Sequence, residues 1–140
     1  MSKLLQRLKD PSRSGVYRTT DSAALIEVTR ANDVPLARIA LHGRSDKEAL
    51  LRSISEALAF PKWFGGNWDA LEDCLGDLSW RPAAVHVLLF EDGSLSDELG
   101  ILIDVLGSVA EQWAARGIPF FAVFADPAQN LPLAELFRPR

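Results

Sequence analysis

The segment FPKWFGGNWDALEDCLGDLSW, residues 60–80, carries the clearest structural signal in this chain. A proline and two adjacent aromatic residues lead into a Gly-Gly-Asn turn, and a short helical pattern follows. If the helix begins near Asn67, then Trp68, Leu71 and Leu75 fall on one face and are expected to pack inward. The segment therefore predicts a short helix that is anchored by one tryptophan and two leucines.

The opposite face of this helix is acidic. Asp69, Glu72 and Asp73 lie there, because positions three and four apart are neighbours on a helix surface. Like charges at this spacing cost a helix roughly 0.2–0.5 kcal/mol per pair, and the helix dipole partly offsets that cost in the first turn. From the residues alone, two interpretations stay open: a surface that suits a cationic partner, or ordinary first-turn acids that face solvent.

The same stretch resembles the signature of a known family. PKWFGGNWDALEDCL, residues 61–75, is similar without a gap to the barstar family of ribonuclease inhibitors. In that family a proline, an aromatic pair, a glycine, an asparagine and an Asp-Ala-Leu-x-Asp-Cys-Leu helix follow in this order. The resemblance extends more weakly over residues 36–126. It implies a small parallel β-sheet packed by helices, and a non-catalytic protein whose acidic helix occludes the cationic active site of a small ribonuclease.

The resemblance also implies roles for single residues. Asp69 and Asp73 match the two aspartates that meet the cationic site of the enzyme. Trp63 matches an aromatic residue at the interface, and Gly65 and Asn67 match loop residues that approach the partner through backbone and amide groups. The loop residues also have simpler interpretations: Trp63 as a core side chain, Asn67 as the helix N-cap and Gly65 as a turn residue.

Three positions depart from the family pattern, among them Leu78, which replaces an interface-side tryptophan while Trp80 follows two residues on. Glu72 stands where the barnase inhibitor has an aromatic side chain, and Gln112 falls where an interface glutamate occurs on a later helix. The change at Glu72 makes the helix more acidic, and the change at Gln112 removes one charged contact. We keep Glu72 and Gln112 as partner-binding candidates. We expect the partner to be another small basic ribonuclease or a related toxin rather than barnase itself.

Composition restricts the function further. The 140 residues fit one domain, and the net charge of −4 argues against direct nucleic-acid binding, which requires a basic surface. The single cysteine, Cys74, excludes an internal disulfide and is expected to be buried. With only two histidines beside it, no zinc site is expected, and no cofactor is implied. No membrane span or secretory signal is recognisable, so we expect a cytoplasmic protein.

The alternation of strand and helix patterns predicts an α/β fold. From residue 36 onward the order is β-α-α-β-α-β, and a shorter β-α pattern precedes it. Such alternation implies right-handed crossovers and a parallel sheet. The predicted strands are 36–41, 83–90 and 118–125, the predicted helices are 46–59, 67–76 and 99–113, and the preceding β-α pattern covers 16–31. We divide the chain into an N-terminal β-α extension at 1–35, a barstar-like domain at 36–126 and a C-terminal tail at 127–140.

Three local signals predict where helices begin or end. Ser45 and Glu48 have the spacing of a capping box, which would start the helix at 46–59. Gly76 is suited to the position just beyond the end of the acidic helix. In the proline-rich tail, residues 133–137 are compatible with one helical turn.

No catalytic motif is recognisable, since the chain has neither a phosphate-binding P-loop nor a nucleophile elbow. His42 and His86 are expected to be a turn residue and a core residue. The leading hypothesis is an inhibitor, which would serve as the immunity half of a toxin pair. The alternative is a barstar-fold interaction or regulatory module with a non-nuclease partner. A weaker third hypothesis is a metal-dependent hydrolase in which Asp69 and Asp73 hold magnesium.

Overall fold

The computed structural model of the protein describes residues 2–62 and 64–138. Five parallel strands form one sheet in the order β2-β3-β4-β1-β5, with helices on both faces. The strands are β1 Gly15–Thr19, β2 Leu36–Ala40, β3 His86–Glu91, β4 Phe120–Ala125 and β5 Ala134–Glu135. The helices are α1 Lys3–Leu8, α2 Ser22–Ala31, α3 Lys47–Ala57, α4 Trp68–Asp77 and α5 Asp97–Ala115, and Pro11–Arg13 forms a 3-10 turn. The predicted α/β class, with a parallel sheet and an N-terminal β-α unit, is confirmed.

The two central strands explain why the sheet is covered on both sides. β3 and β4 are almost continuously apolar, which is typical of parallel strands that are buried on both faces. Successive side chains alternate between two separate hydrophobic clusters, because side chains of a strand point to opposite faces in turn. Leu88 and Phe90 of β3 enter the first cluster, whereas Val87 and Leu89 enter the second.

The first cluster lies between the sheet and the helices α3, α4 and α5. Each of these helices buries an apolar stripe there, with residues such as Ile54, Leu71 and Leu106 fully buried. This layer contains the acidic helix α4, whose position is therefore determined by packing on the sheet and against α5.

The second cluster lies between the sheet and helices α1 and α2 near the start of the chain, with Leu136 of the tail. Leu8 of α1, Leu25 of α2 and Leu136 of the tail are completely buried against the other face of the sheet. The Arg7 guanidinium also donates a hydrogen bond to the Leu136 carbonyl, which joins α1 to the tail. α1, α2 and Leu136 of the tail therefore pack as one layer on this face, whereas Leu131 of the tail belongs to the first cluster.

The tail forms a strand, so the helical turn predicted for residues 133–137 is wrong. Ala134–Glu135 pairs in parallel with Tyr17 and Arg18 of β1, and the Leu136 amide donates to the Arg18 carbonyl at 2.9 Å. β1 would otherwise leave its backbone groups unpaired at the sheet edge, and this pairing satisfies some of them.

The capping box predicted at Ser45 is also wrong. The N-cap of α3 is Asp46, whose Oδ2 accepts a hydrogen bond from the Ala49 amide at 3.2 Å. Ser45 lies one residue outside the helix, and its carbonyl accepts from the Ser96 hydroxyl at 3.4 Å. Aspartate is as good an N-cap as serine, so sequence spacing could not decide between these neighbours.

Within residues 2–62 and 64–138, no helix is both long enough and apolar enough to cross a membrane.

Candidate functional site

The turn before α4 sets the direction in which the acidic helix begins. Asn67 is the N-cap, and its Oδ1 accepts from the Ala70 amide at 2.7 Å, as the simpler interpretation of this residue predicted. The left-handed backbone of the turn falls on Gly66, with φ of 69°, and not on Gly65. Gly65 and Asn67 are both exposed beside the start of α4. Trp63 lies outside the described residues.

The inner face of α4 matches the predicted helix phase. Leu71, Cys74 and Leu75 are fully buried, whereas Trp68 is half-buried against the first hydrophobic cluster. Burial raises the pKa of the Cys74 thiol, and the neighbouring carboxylate of Asp73 raises it further. The thiol therefore stays protonated and is a core side chain, as expected.

The outer face of α4 carries a row of exposed carboxylates. Asp69 and Asp73 are exposed as predicted, and Asp77 continues the row one turn further on. Sequence reasoning missed Asp77, although its spacing of four residues from Asp73 could have shown it. We call Asp69, Asp73 and Asp77 the acidic row. In the part of the chain that the structure describes, none of the three is in an ion pair with a basic side chain.

Two side chains of α5, and Arg116 directly after it, donate hydrogen bonds to α4. The Trp113 indole Nε1 donates to the Leu75 carbonyl at 2.8 Å, and Arg116 Nη1 donates to the Gly76 carbonyl at 2.7 Å. Both carbonyls belong to the last turn of α4, where the helix itself supplies no donor. The Arg116 guanidinium also lies 4.5 Å from the centre of the Trp113 ring, in cation–π geometry. The end of α4 is therefore fixed by side-chain hydrogen bonds from its neighbour.

The third contact joins two of the residues that depart from the family pattern. Gln112 Nε2 donates to Glu72 Oε2 at 3.1 Å, and both side chains are half-buried between α4 and α5. The structure thus brings Glu72 and Gln112 together beside the acidic row. Part of the Glu72 carboxylate is thus already used within the protein and half-buried, whereas Asp69, Asp73 and Asp77 are exposed, and Asp77 Oδ2 accepts from the Ser79 hydroxyl at 3.1 Å.

Gly76 does not end the helix, and its prediction as the residue beyond α4 is wrong. The left-handed residue at the end is Leu78, with φ of 45°, and its amide donates to the Cys74 carbonyl at 3.0 Å. Gly76 lies inside α4 and is buried. A Cβ at this position would lie 2.7 Å from Gln112 Oε1, so the absence of a side chain lets the Gln112 amide approach the α4 backbone.

The two histidines lie in different environments. His86 is buried on β3 with its ring 4.5 Å from that of Trp113, as expected for a core histidine, whereas His42 is exposed. Burial, and secondarily the charge of Arg81, lowers the pKa of His86 to about 4, so it is neutral at physiological pH. Among the described residues, no group of three His, Cys, Asp or Glu side chains lies close enough together to hold a metal ion.

A known protein family matches most of the chain. The model of the family described as Barstar (barnase inhibitor) matches residues 34–125. The chain belongs to the barstar family. The matched part of this barstar-family protein runs from just before β2 to the end of β4 and includes α3, α4 and α5, whereas α1, β1, α2 and β5 lie outside it. No curated protein sequence matches the chain.

Proposed function

We propose that this barstar-family protein is a non-catalytic inhibitor that occludes the cationic active site of a small basic ribonuclease. The observation that carries the proposal is the acidic row: Asp69, Asp73 and Asp77 are exposed on one helix and no basic side chain of the described residues neutralises them. Family membership supplies the class of function, because the family is described as an inhibitor of barnase.

The chemistry of such a target explains why carboxylates suit it. An enzyme that cleaves RNA must hold a phosphodiester, so its active site concentrates basic side chains. Carboxylates spaced along one helix can occupy the positions of successive phosphates and exclude the substrate. Opposite charges on the two proteins also accelerate their encounter, and this effect weakens as salt screens the charges.

The contacts between α4 and α5 favour tight binding in a second way. A helix that is already fixed loses little conformational freedom when the partner arrives, so less binding energy is spent on ordering. Asn67 fixes the start of α4, and Trp113 and Arg116 fix its last turn. The backbone that carries the acidic row is therefore fixed before binding.

The proposed biological setting is protection of the cell that makes the ribonuclease. In that setting the protein acts in the cytoplasm, as the immunity partner of a nuclease toxin. Trp63, Gly65, Asn67, Glu72 and Gln112 complete the proposed interface around the acidic row. Because Glu72 and Gln112 differ from the family pattern, we expect the cognate enzyme to differ from barnase opposite these two residues.

Isothermal titration calorimetry tests the proposal directly. The protein is titrated into a catalytically inactive small basic microbial ribonuclease at low and at moderate salt. We expect binding that weakens with salt and that falls at least roughly tenfold in Asp73→Asn, as for the loss of one charge-assisted contact.

Glu27→Gln is the matched control, because it removes the same charge from α2, on the opposite face of the sheet. Binding of Asp73→Asn as tight as that of the parent protein would exclude the acidic row as the interface. Absence of any binding to several such ribonucleases would contradict the proposed target class. It would favour the alternative of an interaction module with a non-nuclease partner, which a pull-down from the native host would then identify.

A further inference from the structure

A second polar site lies away from the acidic row, at the carboxyl end of β2. The loop after this strand and one face of α3 enclose an open cleft of about 180 Å³. Its lining consists of His42, Arg44, Ala49, Arg52, Ser53 and Glu56. The cleft lies at the carboxyl end of the sheet, the end at which open α/β folds bind ligands, but beside the edge strand β2 and not at a switch point in the strand order.

The basic side chains of the cleft have no partners of their own. In the described part of the chain, the guanidinium groups of Arg44 and Arg52 make no hydrogen bond and no ion pair. By contrast Arg38, on the adjoining strand, is paired with Glu91 at 2.8 Å. Two unpaired arginines beside one cleft thus stand out on a protein whose net charge is negative.

The loop that carries His42 and Arg44 has a left-handed backbone that is held in place by hydrogen bonds. His42 has φ of 55°, a left-handed conformation that is uncommon for residues other than glycine, and Gly43 has φ of 70°. The Gly43 amide donates to the Asp92 carbonyl at 2.8 Å, and the Ser94 hydroxyl donates to the Gly43 carbonyl at 3.2 Å. Strained residues that are held by such bonds recur at binding sites, because the strain persists only where the surroundings fix it.

We propose that this cleft binds a phosphate group, either as inorganic phosphate or as a phosphomonoester. Arginine presents a planar set of donors that matches phosphate oxygens, and Arg44 and Arg52 together offer more donors than the two oxygens of one carboxylate can accept. The Ser53 hydroxyl and the His42 ring add further polar groups. The volume is more than ten times the roughly 10–15 Å³ of cavity that one water molecule needs, so a phosphate group fits.

One acidic side chain, Glu56, lines the cleft together with the two arginines. It follows Arg52 by four residues on the same face of α3, but arginine before glutamate is the weaker order for a helical ion pair, and the structure shows no such pair. A bound phosphate dianion would be repelled by Glu56 and attracted by Arg52. Removing the two charges is therefore expected to change phosphate affinity in opposite directions.

The site is tested by NMR titration of the full chain with inorganic phosphate, with the ionic strength held constant by sodium chloride. We expect saturable shifts of the amide signals of residues 42–44 and of the side-chain signals of Arg44 and Arg52. Arg52→Ala and Arg44→Ala should each weaken binding at least roughly tenfold, as for loss of a charge-assisted contact. Glu56→Gln should tighten it, and Arg13→Ala, which removes an exposed charge elsewhere, should leave it unchanged.

Parallel titrations with glycerol phosphate and with acetate distinguish the sources of the anion. Tighter binding of glycerol phosphate than of inorganic phosphate would identify a phosphomonoester as the ligand, and the reverse would identify free phosphate. Equal binding of acetate would overturn the preference for phosphate. Non-saturating shifts spread over all exposed basic residues, or binding that both arginine variants retain, would overturn the site itself. The titration does not involve the ribonuclease, so its outcome is independent of the proposed inhibitory function.

Discussion

Gly76 of α4 and Gln112 of α5 compete for the same small space. The atoms that a Cβ at position 76 would meet within 4 Å are Oε1 and Cδ of Gln112, at 2.7 Å and 3.9 Å. Because these atoms end a flexible side chain, Gln112 can swing aside at the cost of its hydrogen bond to Glu72. Glycine at position 76 therefore serves to keep the contact between Gln112 and Glu72, and it is not required by the backbone conformation there.

This competition predicts that the effect of Gly76→Ala depends on the residue at position 112. In the native background, the gain of about 1 kcal/mol in helix propensity is offset by a lost hydrogen bond worth roughly 0.5–1.5 kcal/mol. In Gln112→Ala the same substitution should stabilise the protein by about 1 kcal/mol, since the space is free. Urea unfolding of the four proteins in the cycle measures this difference. Equal effects in both backgrounds would mean that Gln112 does not lie over Gly76.

The buried His86 predicts how stability depends on pH. Its pKa is lowered to about 4 in the folded protein, whereas the unfolded chain takes up the proton near pH 6.5. Between these values the unfolded state binds more protons, so the free energy of unfolding falls as the pH is lowered through this window. From pH 7.5 to pH 5 this single group should remove about 2 kcal/mol of stability.

Urea unfolding at several pH values, with His86→Phe and His42→Gln alongside, measures this contribution. His86→Phe should lose most of the dependence between pH 7.5 and pH 5, because phenylalanine cannot be protonated. His42→Gln should keep it, because this substitution leaves His86 in place and buried. A slope that is unchanged in His86→Phe would show that other groups cause the loss.

Single residues of the candidate site were predictable where helix geometry alone decides exposure. The spacing of Asp69 and Asp73 was sufficient to place both on the outer face of α4. The role of Gly76 was not predictable, because a glycine near the end of a helix fits either a terminating position or a close helix–helix contact. Only the position of Gln112, thirty-six residues further along the chain, distinguishes the two.

Among the contacts between helices and strands, those between α4 and α5 do most to hold the candidate site in place. The last turn of α4 has unpaired carbonyls, as every helix has, and Trp113 of α5 and Arg116 directly after it supply donors for two of them. A polar contact of this kind orients one helix relative to the other more specifically than apolar packing alone, since hydrogen bonds require particular distances and angles.

Trp113→Phe should therefore loosen α4 while it keeps most of the apolar packing. The buried Leu75 carbonyl would lose its donor, which costs roughly 1–3 kcal/mol. Hydrogen exchange should then show faster exchange of the α4 amides than of the β3 and β4 amides. Trp80→Phe is the matched control, because the Trp80 indole donates to Leu58 at the end of α3. Uniform acceleration of exchange across the protein would contradict a specific role for Trp113.

At this level, long periodic or continuously apolar segments were predictable and short ones were not. α5, β3 and β4 each carry a strong pattern, and all three were found. β5 has two residues, both exposed, and exists because β1 offers an unpaired edge to the tail. A strand that forms only because a neighbouring strand has an unpaired edge leaves no pattern in its own sequence.

The whole molecule has one sheet between two unlike layers. One layer holds α3, α4 and α5 and lies inside the segment that matches the family, whereas α1, α2 and Leu136 of the tail form the other layer. The sequence predicted the parallel sheet and the extension. It did not predict that the two chain ends meet, because contacts between distant segments leave no local periodicity.

This arrangement predicts that single leucines outside the family segment are important for stability. Leu8→Ala and Leu136→Ala should each cost roughly 2–5 kcal/mol, as expected for fully buried leucines. Leu95→Ala is the control, since Leu95 is 60% exposed and its truncation should change stability by less than about 0.5 kcal/mol. Thermal unfolding measures all three. If Leu8→Ala and Leu136→Ala behave like the control, the terminal layer does not contribute to the folded core.

The position of β1 between β4 and β5 also has a consequence for the order of events during translation. β1 begins at Gly15, but its first partner strand begins at Phe120, so at usual rates of synthesis it waits roughly 5–20 s for that strand. Meanwhile β2, β3 and the helices between them are made and can begin to assemble. The leucines of α1 and α2 are expected to stay in contact with water or a chaperone for most of this time, and they become buried only when the last strands emerge.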